Sequence, residues 1–118
     1  MPDADRDLSL RGGARDRAAQ AAHTVTDCNC SICRRYGVLW AYYKAATVRV
    51  EAAPEALDRY AWGPKSQHFV RCATCGCVMC WQKIAPHPEN RTGVNARNFE
   101  PEVLRTIRVV ALDGASLF

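Results

Sequence analysis

Three of the chain's seven cysteines, Cys28, Cys30 and Cys33, fall within the six residues C-N-C-S-I-C. Thiolates are the soft ligands that suit zinc, bound at ~2.3 Å, so sulfurs around a tetrahedral ion lie slightly under ~4 Å apart. In an extended chain, positions two apart project to the same side. Cys28 and Cys30 can therefore face one centre, and a turn through Ser31 and Ile32 brings Cys33 to it. Three protein ligands leave one tetrahedral position open, which is the arrangement of a catalytic zinc. Three thiolates around a divalent ion sum to one negative charge, which nearby cations and backbone N–H groups stabilise. Arg34 and Arg35 follow the third cysteine directly. The alternative is incidental buried cysteine, and three in six residues is too dense for that.

The second cluster, RCATCGCVMCW, holds Cys72, Cys75, Cys77 and Cys80. Cys72 and Cys75 form C-x-x-C followed by Gly76, half of a zinc knuckle, in which glycine permits the turn that aims two sulfurs at one ion. Four readings stand side by side. Cys77 and Cys80 complete a cramped local site, the first cluster shares its metal, the pair has no partner, or the motif is a redox dithiol. No strand–helix–strand pattern surrounds it, which counts against the last. Cys77 and Cys80 also read as packed strand residues. His23, His68 and His87 are isolated, and His23 alone lies near enough in sequence to the first cluster to replace a missing ligand.

These cysteines need a scaffold, and the chain reads as mainly β, with two segments. Residues 1–23 are rich in Ala, Arg, Asp and Gly, hold no aromatic residue, and show a weak helical pattern around Ala14 to Ala22. They read as an atypical arm, irregular or partly helical. Residues 24–118 carry short β-like runs: VLWAYY, the alternating TVRVE with Val48 and Val50 on one face, and Leu57 to Trp62 before the turn signal GPKS. HFVRC, VMCWQKIA, the alternating TGVNARNF and IRVVAL follow. PEVLR supplies one helical turn, since Pro is tolerated at a helix start. Short strands without strand–helix alternation indicate a small antiparallel domain.

At these residues the chain resembles the glutathione-dependent formaldehyde-activating enzyme family, which includes centromere protein V-like relatives. The matching pieces are TDCNCSICRRYGVLWAYY, the L-x-x-Y-x-W-G run from Leu57 to Gly63, HFVRCATCGCV, GVNAR and the terminal LDGAS, in family order. The resemblance implies a single-domain β-tent of antiparallel sheets with zinc-binding cysteine knuckles. Cys28, Cys30 and Cys33 would be the catalytic zinc ligands, and Cys72 and Cys75 half of a structural site. The other half in the family is an N-terminal C-x-C on a first strand. This chain has no cysteine before Cys28, so the arm stands where that strand would be, and one zinc ion is expected rather than two.

The family's named reaction adds glutathione to formaldehyde, giving S-hydroxymethylglutathione, a carbon–sulfur lyase chemistry in reverse. A small-molecule thiol and an aldehyde are then the expected partners. Glutathione's carboxylates suit bidentate arginines, for which Arg34, Arg35 and Arg97 are the candidates. Trp40 and Tyr42 would wall the pocket, with plain core packing the alternative, and Asn95 would line it or else satisfy a strand end. A non-enzymatic zinc-binding interaction module or a degenerate family member is the alternative.

Composition bounds the rest. At 118 residues, 48% of them hydrophobic and 24% charged, the chain is one folded domain, small enough for a metal to help substantially. The net charge of +4 is scattered without a basic face, so nucleic acid is not an expected partner. No apolar run approaches the ~20 residues that cross a bilayer, and the N-terminus lacks a signal's apolar centre. A cytoplasmic location is the expectation. An odd number of cysteines there favours metal binding or thiol chemistry over a disulfide framework.

Overall fold

The computed structural model describes residues 15–18, 24–61, 67–85, 87 and 89–117. His23, Trp62 and the turn signal at 63–66 lie outside them. The chain is mainly β. Its strands are β1 (Arg15–Ala18), β2 (Thr24–Cys28), β3 (Trp40–Lys44), β4 (Val48–Glu51), β5 (Leu57–Ala61), β6 (Gln67–Cys72), β7 (Val78–Lys83), β8 (Arg91–Asn95) and β9 (Arg108–Leu112). Among the described residues, two short helices, α1 (Ser31–Tyr36) and α2 (Pro101–Leu104), complete the regular elements with a few 3-10 turns. Seven strands form one sheet in the order β5-β6-β7-β8-β3-β2-β9, and β1 pairs with β4 in a separate ribbon. All pairings are antiparallel except β2 with β9. Among the described residues, no helix is long and apolar enough to cross a membrane.

The β3 sequence WAYYK shows how the sheet sorts its side chains. Successive residues point to opposite faces. Ala41 and Tyr43 join a core with Val25, Leu39, Val94, Ala96, Phe99 and Ile107, against which Val103 and Leu104 of α2 pack. Trp40 belongs to a second cluster, with the three early cysteines, Val38, Phe69, Val78 and Trp81, and Tyr42 packs against it. The neighbouring strand β2 divides in the same way, with Val25 on the first face and Cys28 on the second. Between β6 and β7 the register slips by one residue, pairing Val70 with Cys80 but Arg71 with Val78. This bulge lets Val78 and Trp81 share the cysteine-side cluster, while Met79 and Cys80 pack with Val70 on another.

Two expectations change. Arg15–Ala18, read as part of an irregular or partly helical arm, is an extended strand paired with Val48–Glu51. The weak helical pattern yields to ribbon pairing with an alternating partner strand. The GVN segment, read as alternating, is buried on both faces from Thr92 to Asn95, because β8 lies centrally between β7 and β3.

Candidate functional site

Cys28 closes β2, Cys30 has extended backbone just before α1, and Cys33 lies on that helix's buried face. A Cys30 carbonyl accepts from the Arg34 N–H at 3.0 Å, closing the helix's first turn. Gly37 ends the helix with φ 67°, a left-handed conformation that glycine adopts without Cβ strain, and its N–H donates to the Cys33 carbonyl at 3.0 Å. The expected turn through Ser31 and Ile32 is therefore the start of a six-residue helix. It brings all three sulfurs within 4.8 Å of one another, and all three residues are buried.

The loop carrying Cys28 and Cys30 is fastened from the C-terminal end of the chain. The Asn29 N–H donates to the Leu112 carbonyl (3.2 Å). Its side-chain amide donates to Asp113 Oδ1 (3.0 Å), and its Oδ1 accepts from the Ala115 N–H (2.9 Å). Ser116 Oγ donates to Asp113 Oδ2 at 2.8 Å. These donors hold the exposed Asp113 carboxyl below its ordinary range. The LDGAS segment is thus the clamp on the cysteine loop.

The donor chemistry fits a thiophilic cation. Burial raises the Cys33 thiol strongly, and the Trp40 indole N–H, donating to its sulfur at 3.3 Å, offsets only part of this. Burial also raises Cys28. At Cys30 burial is outweighed by the backbone amide of Cys33 and the neighbouring thiols, which favour its thiolate. With protons alone, then, the cluster keeps Cys28 and Cys33 neutral. A divalent ion removes that obstacle by compensating thiolates directly.

The three cysteines line a cavity of about 1080 Å³. Trp40, Tyr42, Phe69 and Trp81 form its aromatic wall, and Val110, Leu112 and Leu117 its aliphatic side. Phe69 sits 6.0 Å from Trp40, centroid to centroid, and Tyr42 meets Trp81 edge-on at 6.2 Å. Two cations also line it. The Arg91 guanidinium lies 4.2 Å from the Tyr42 ring centroid, and Lys83 Nζ lies 5.7 Å from that of Trp81. Gly93 makes this wall possible, because a Cβ there would collide with Trp81 Nε1.

Trp40 and Tyr42 line the cavity. Of Arg34, Arg35, Asn95 and Arg97, none does. Arg34 and Arg35 are exposed on α1, where Arg35 reaches back to the Ser31 carbonyl at 3.1 Å. Arg97 Nε donates to the Gly37 carbonyl at 2.9 Å, bracing the helix end. Asn95 is buried, donating to Val78 O (2.9 Å) and accepting from the Leu39 and Arg97 N–H groups, so it stitches strands together. Lys83, Arg91, Phe69, Trp81 and the Asn29 clamp went unread. Cations in QKIA and NRTG carried no local signal, whereas an asparagine between two cysteines could have been noticed.

The second cluster brings no three sulfurs within 4.8 Å of one another, although Cys77 lies near enough to Cys75 and Cys72 to feel both. Among the described residues, Cys28, Cys30 and Cys33 are the group of three with converging ligand atoms. Cys72 and Cys80 are buried, while Cys75 and Cys77 are exposed. Cys80 packs against Val70 and Met79, as a strand residue. His68 and His87 line a separate cavity of about 330 Å³, away from the thiol cluster.

No protein-family model matches the chain, and no curated protein matches it. Among solved structures, it is similar to the crystal structure of a Rhodobacter sphaeroides protein determined as a structural-genomics target. The TM-score is 0.69 and the identity 25%, over 86% of this chain and 97% of the other. That likeness concerns the fold and brings no activity with it.

Proposed function

We propose that the chain is a zinc-dependent enzyme of carbon–sulfur bond chemistry, adding a small thiol such as glutathione to formaldehyde or a related aldehyde. The observation that carries this reading is the triad of buried thiols, mutually within 4.8 Å, lining a large cavity. Cys28, Cys30 and Cys33 would hold the ion. An ion held there would supply electrophilic assistance, easing deprotonation of a thiol or polarising a carbonyl oxygen. The motif resemblance to the glutathione-dependent formaldehyde-activating family favours this reaction over others open to such a site.

The protein's own residues give the cavity its selectivity. In the addition, a carbon–sulfur bond forms as the carbonyl π bond opens, and the thiol proton ends on the new hydroxyl. The aromatic wall sets an apolar surface beside the thiols, and Trp40 fixes Cys33 by its indole N–H. Lys83 and Arg91 take over the anion-holding role expected of Arg34, Arg35 and Arg97, because they are the cations facing the cavity.

The test is proton exchange spectroscopy on glutathione and formaldehyde at equilibrium, which reads the interconversion rate directly. The expected result is an exchange rate raised by the zinc-loaded protein and returned to background by Cys30→Ser with the circular dichroism unchanged. A zinc-loaded, folded protein that leaves the rate at background with several thiols and aldehydes would overturn the enzyme reading and leave a metal-holding interaction module.

A further inference from the structure

The turn between β6 and β7 carries a second thiol pair that the cavity chemistry does not use. Cys75 and Cys77 are both exposed and are separated by Gly76 alone. The turn is pinned at its base: the Gly76 N–H donates to the Cys72 carbonyl at 2.8 Å, and the Cys72 N–H to the Cys77 carbonyl at 2.9 Å. Gly76 itself has φ 78°, and a Cβ there would meet nothing within 4 Å, so the tip faces open space. The remaining cysteines of the cluster, Cys72 and Cys80, are each 0% exposed, beyond the reach of a reagent that finds the tip.

We propose that Cys75 and Cys77 are a solvent-facing redox dithiol, which closes to a disulfide across Gly76 by exchange with small disulfides and reopens with thiols. One cysteine, as thiolate, attacks a sulfur of the small disulfide, RSSR, and breaks its S–S bond. The first RS⁻ leaves and takes up the proton that the cysteine gave to solvent. The second cysteine then attacks the protein-bound sulfur of this mixed disulfide, forming the Cys75–Cys77 bond and releasing the other RS⁻, protonated in the same way. Two protein thiols are oxidised, and one RSSR is reduced to two RSH.

Access and proximity favour both steps, since exchange depends on the attacking thiol's exposure and the second step is intramolecular. Closing a ring across a single residue strains the turn, and glycine is the residue that bends at least steric cost. A strained, exposed disulfide is readily reduced, so the pair cycles rather than locks. This inference stands apart from the proposed enzyme activity and does not depend on it.

The experiment exposes the folded, zinc-loaded chain to glutathione disulfide, alkylates remaining thiols, and maps the tryptic peptide 72–83 by mass spectrometry. The expected product has lost two hydrogens, with the new bond between Cys75 and Cys77, and reverts on adding reduced glutathione. Cys75→Ser and Cys77→Ser should each stop at a mixed disulfide with glutathione on the surviving cysteine. Both positions are exposed, so serine is accommodated there, and circular dichroism checks it. A mixed disulfide that persists in the unsubstituted chain would overturn the proposal. So would a bond to Cys72 or Cys80, or failure of Cys75 and Cys77 to react at all.

Discussion

Trp40 is the residue on which the thiol cluster leans most visibly. It is 2% exposed, and its indole N–H is the donor that reaches Cys33 Sγ. Groups that hydrogen-bond a metal ligand commonly change metal affinity ~10–100-fold when removed. Trp40→Phe keeps an aromatic ring in the wall and deletes the N–H. Zinc retention, measured by competition with a chromophoric chelator, is expected to fall about tenfold. Lys83 and Arg91 invite a kinetic test instead. Replacing either with Ala should raise KM for an acidic thiol by roughly three- to tenfold, with kcat nearly unchanged, because the lost contact is to a non-reacting group. A thiol without carboxylates should not notice the change.

Asp113 brings a pH dependence at the same scale. Its carboxyl is held below the ordinary range by Ser116 and Asn29, so the folded chain releases this proton at lower pH than the unfolded chain does. The stabilisation is therefore fully present above the unfolded value of ~3.9 and is lost as pH falls through the folded value. Asp113→Asn should melt below the unsubstituted protein at pH 6, and the gap in Tm should close as pH drops below about 4. A gap that stays constant over this range would assign the difference to something other than the carboxylate.

At the scale of elements, the cavity depends on β8 and β7 lying close enough for Trp81 to rest over Gly93. The two residues are register partners, and a Cβ at position 93 would collide with the indole. Gly93→Ala should displace Trp81, costing about 1–3 kcal/mol by overpacking, and the loss should show in denaturant unfolding together with weaker thiol binding. Strand existence was legible in the sequence because short aromatic and β-branched runs advertise it, and the density of cysteines in C-N-C-S-I-C advertised the thiol site. The helix α1 was not legible: six residues opened by a cysteine present no apolar periodicity. Lys83 and Arg91 were missed for a different reason. Their meeting at the cavity follows from the order β7-β8-β3, a consequence of long-range pairing that no local window contains. Asn95 stayed open between pocket lining and strand-end partner, because its hydrogen-bond partners are contributed by other segments.

At the scale of the whole molecule, the two faces of the seven-stranded sheet divide the labour. One buries the aliphatic core around Val25, Val94 and Phe99, and the other gathers the cysteines and aromatics. A chain of 118 residues gains proportionately from any bound ion. A metal ion held at the three early cysteines would tie β2, α1 and, through the Asn29 clamp, the C-terminal segment into one unit. Removing it by chelation should lower Tm, since a ligand bound only by the folded state stabilises that state by mass action. Elemental analysis of freshly purified, folded protein, paired with native-state alkylation, tests the central claim most directly. It should find about one zinc per chain, lost in Cys28→Ser and Cys33→Ser and kept in Cys75→Ser, with Cys28, Cys30 and Cys33 protected from alkylation. Well-folded protein without metal, whose three early cysteines all alkylate freely, would contradict it.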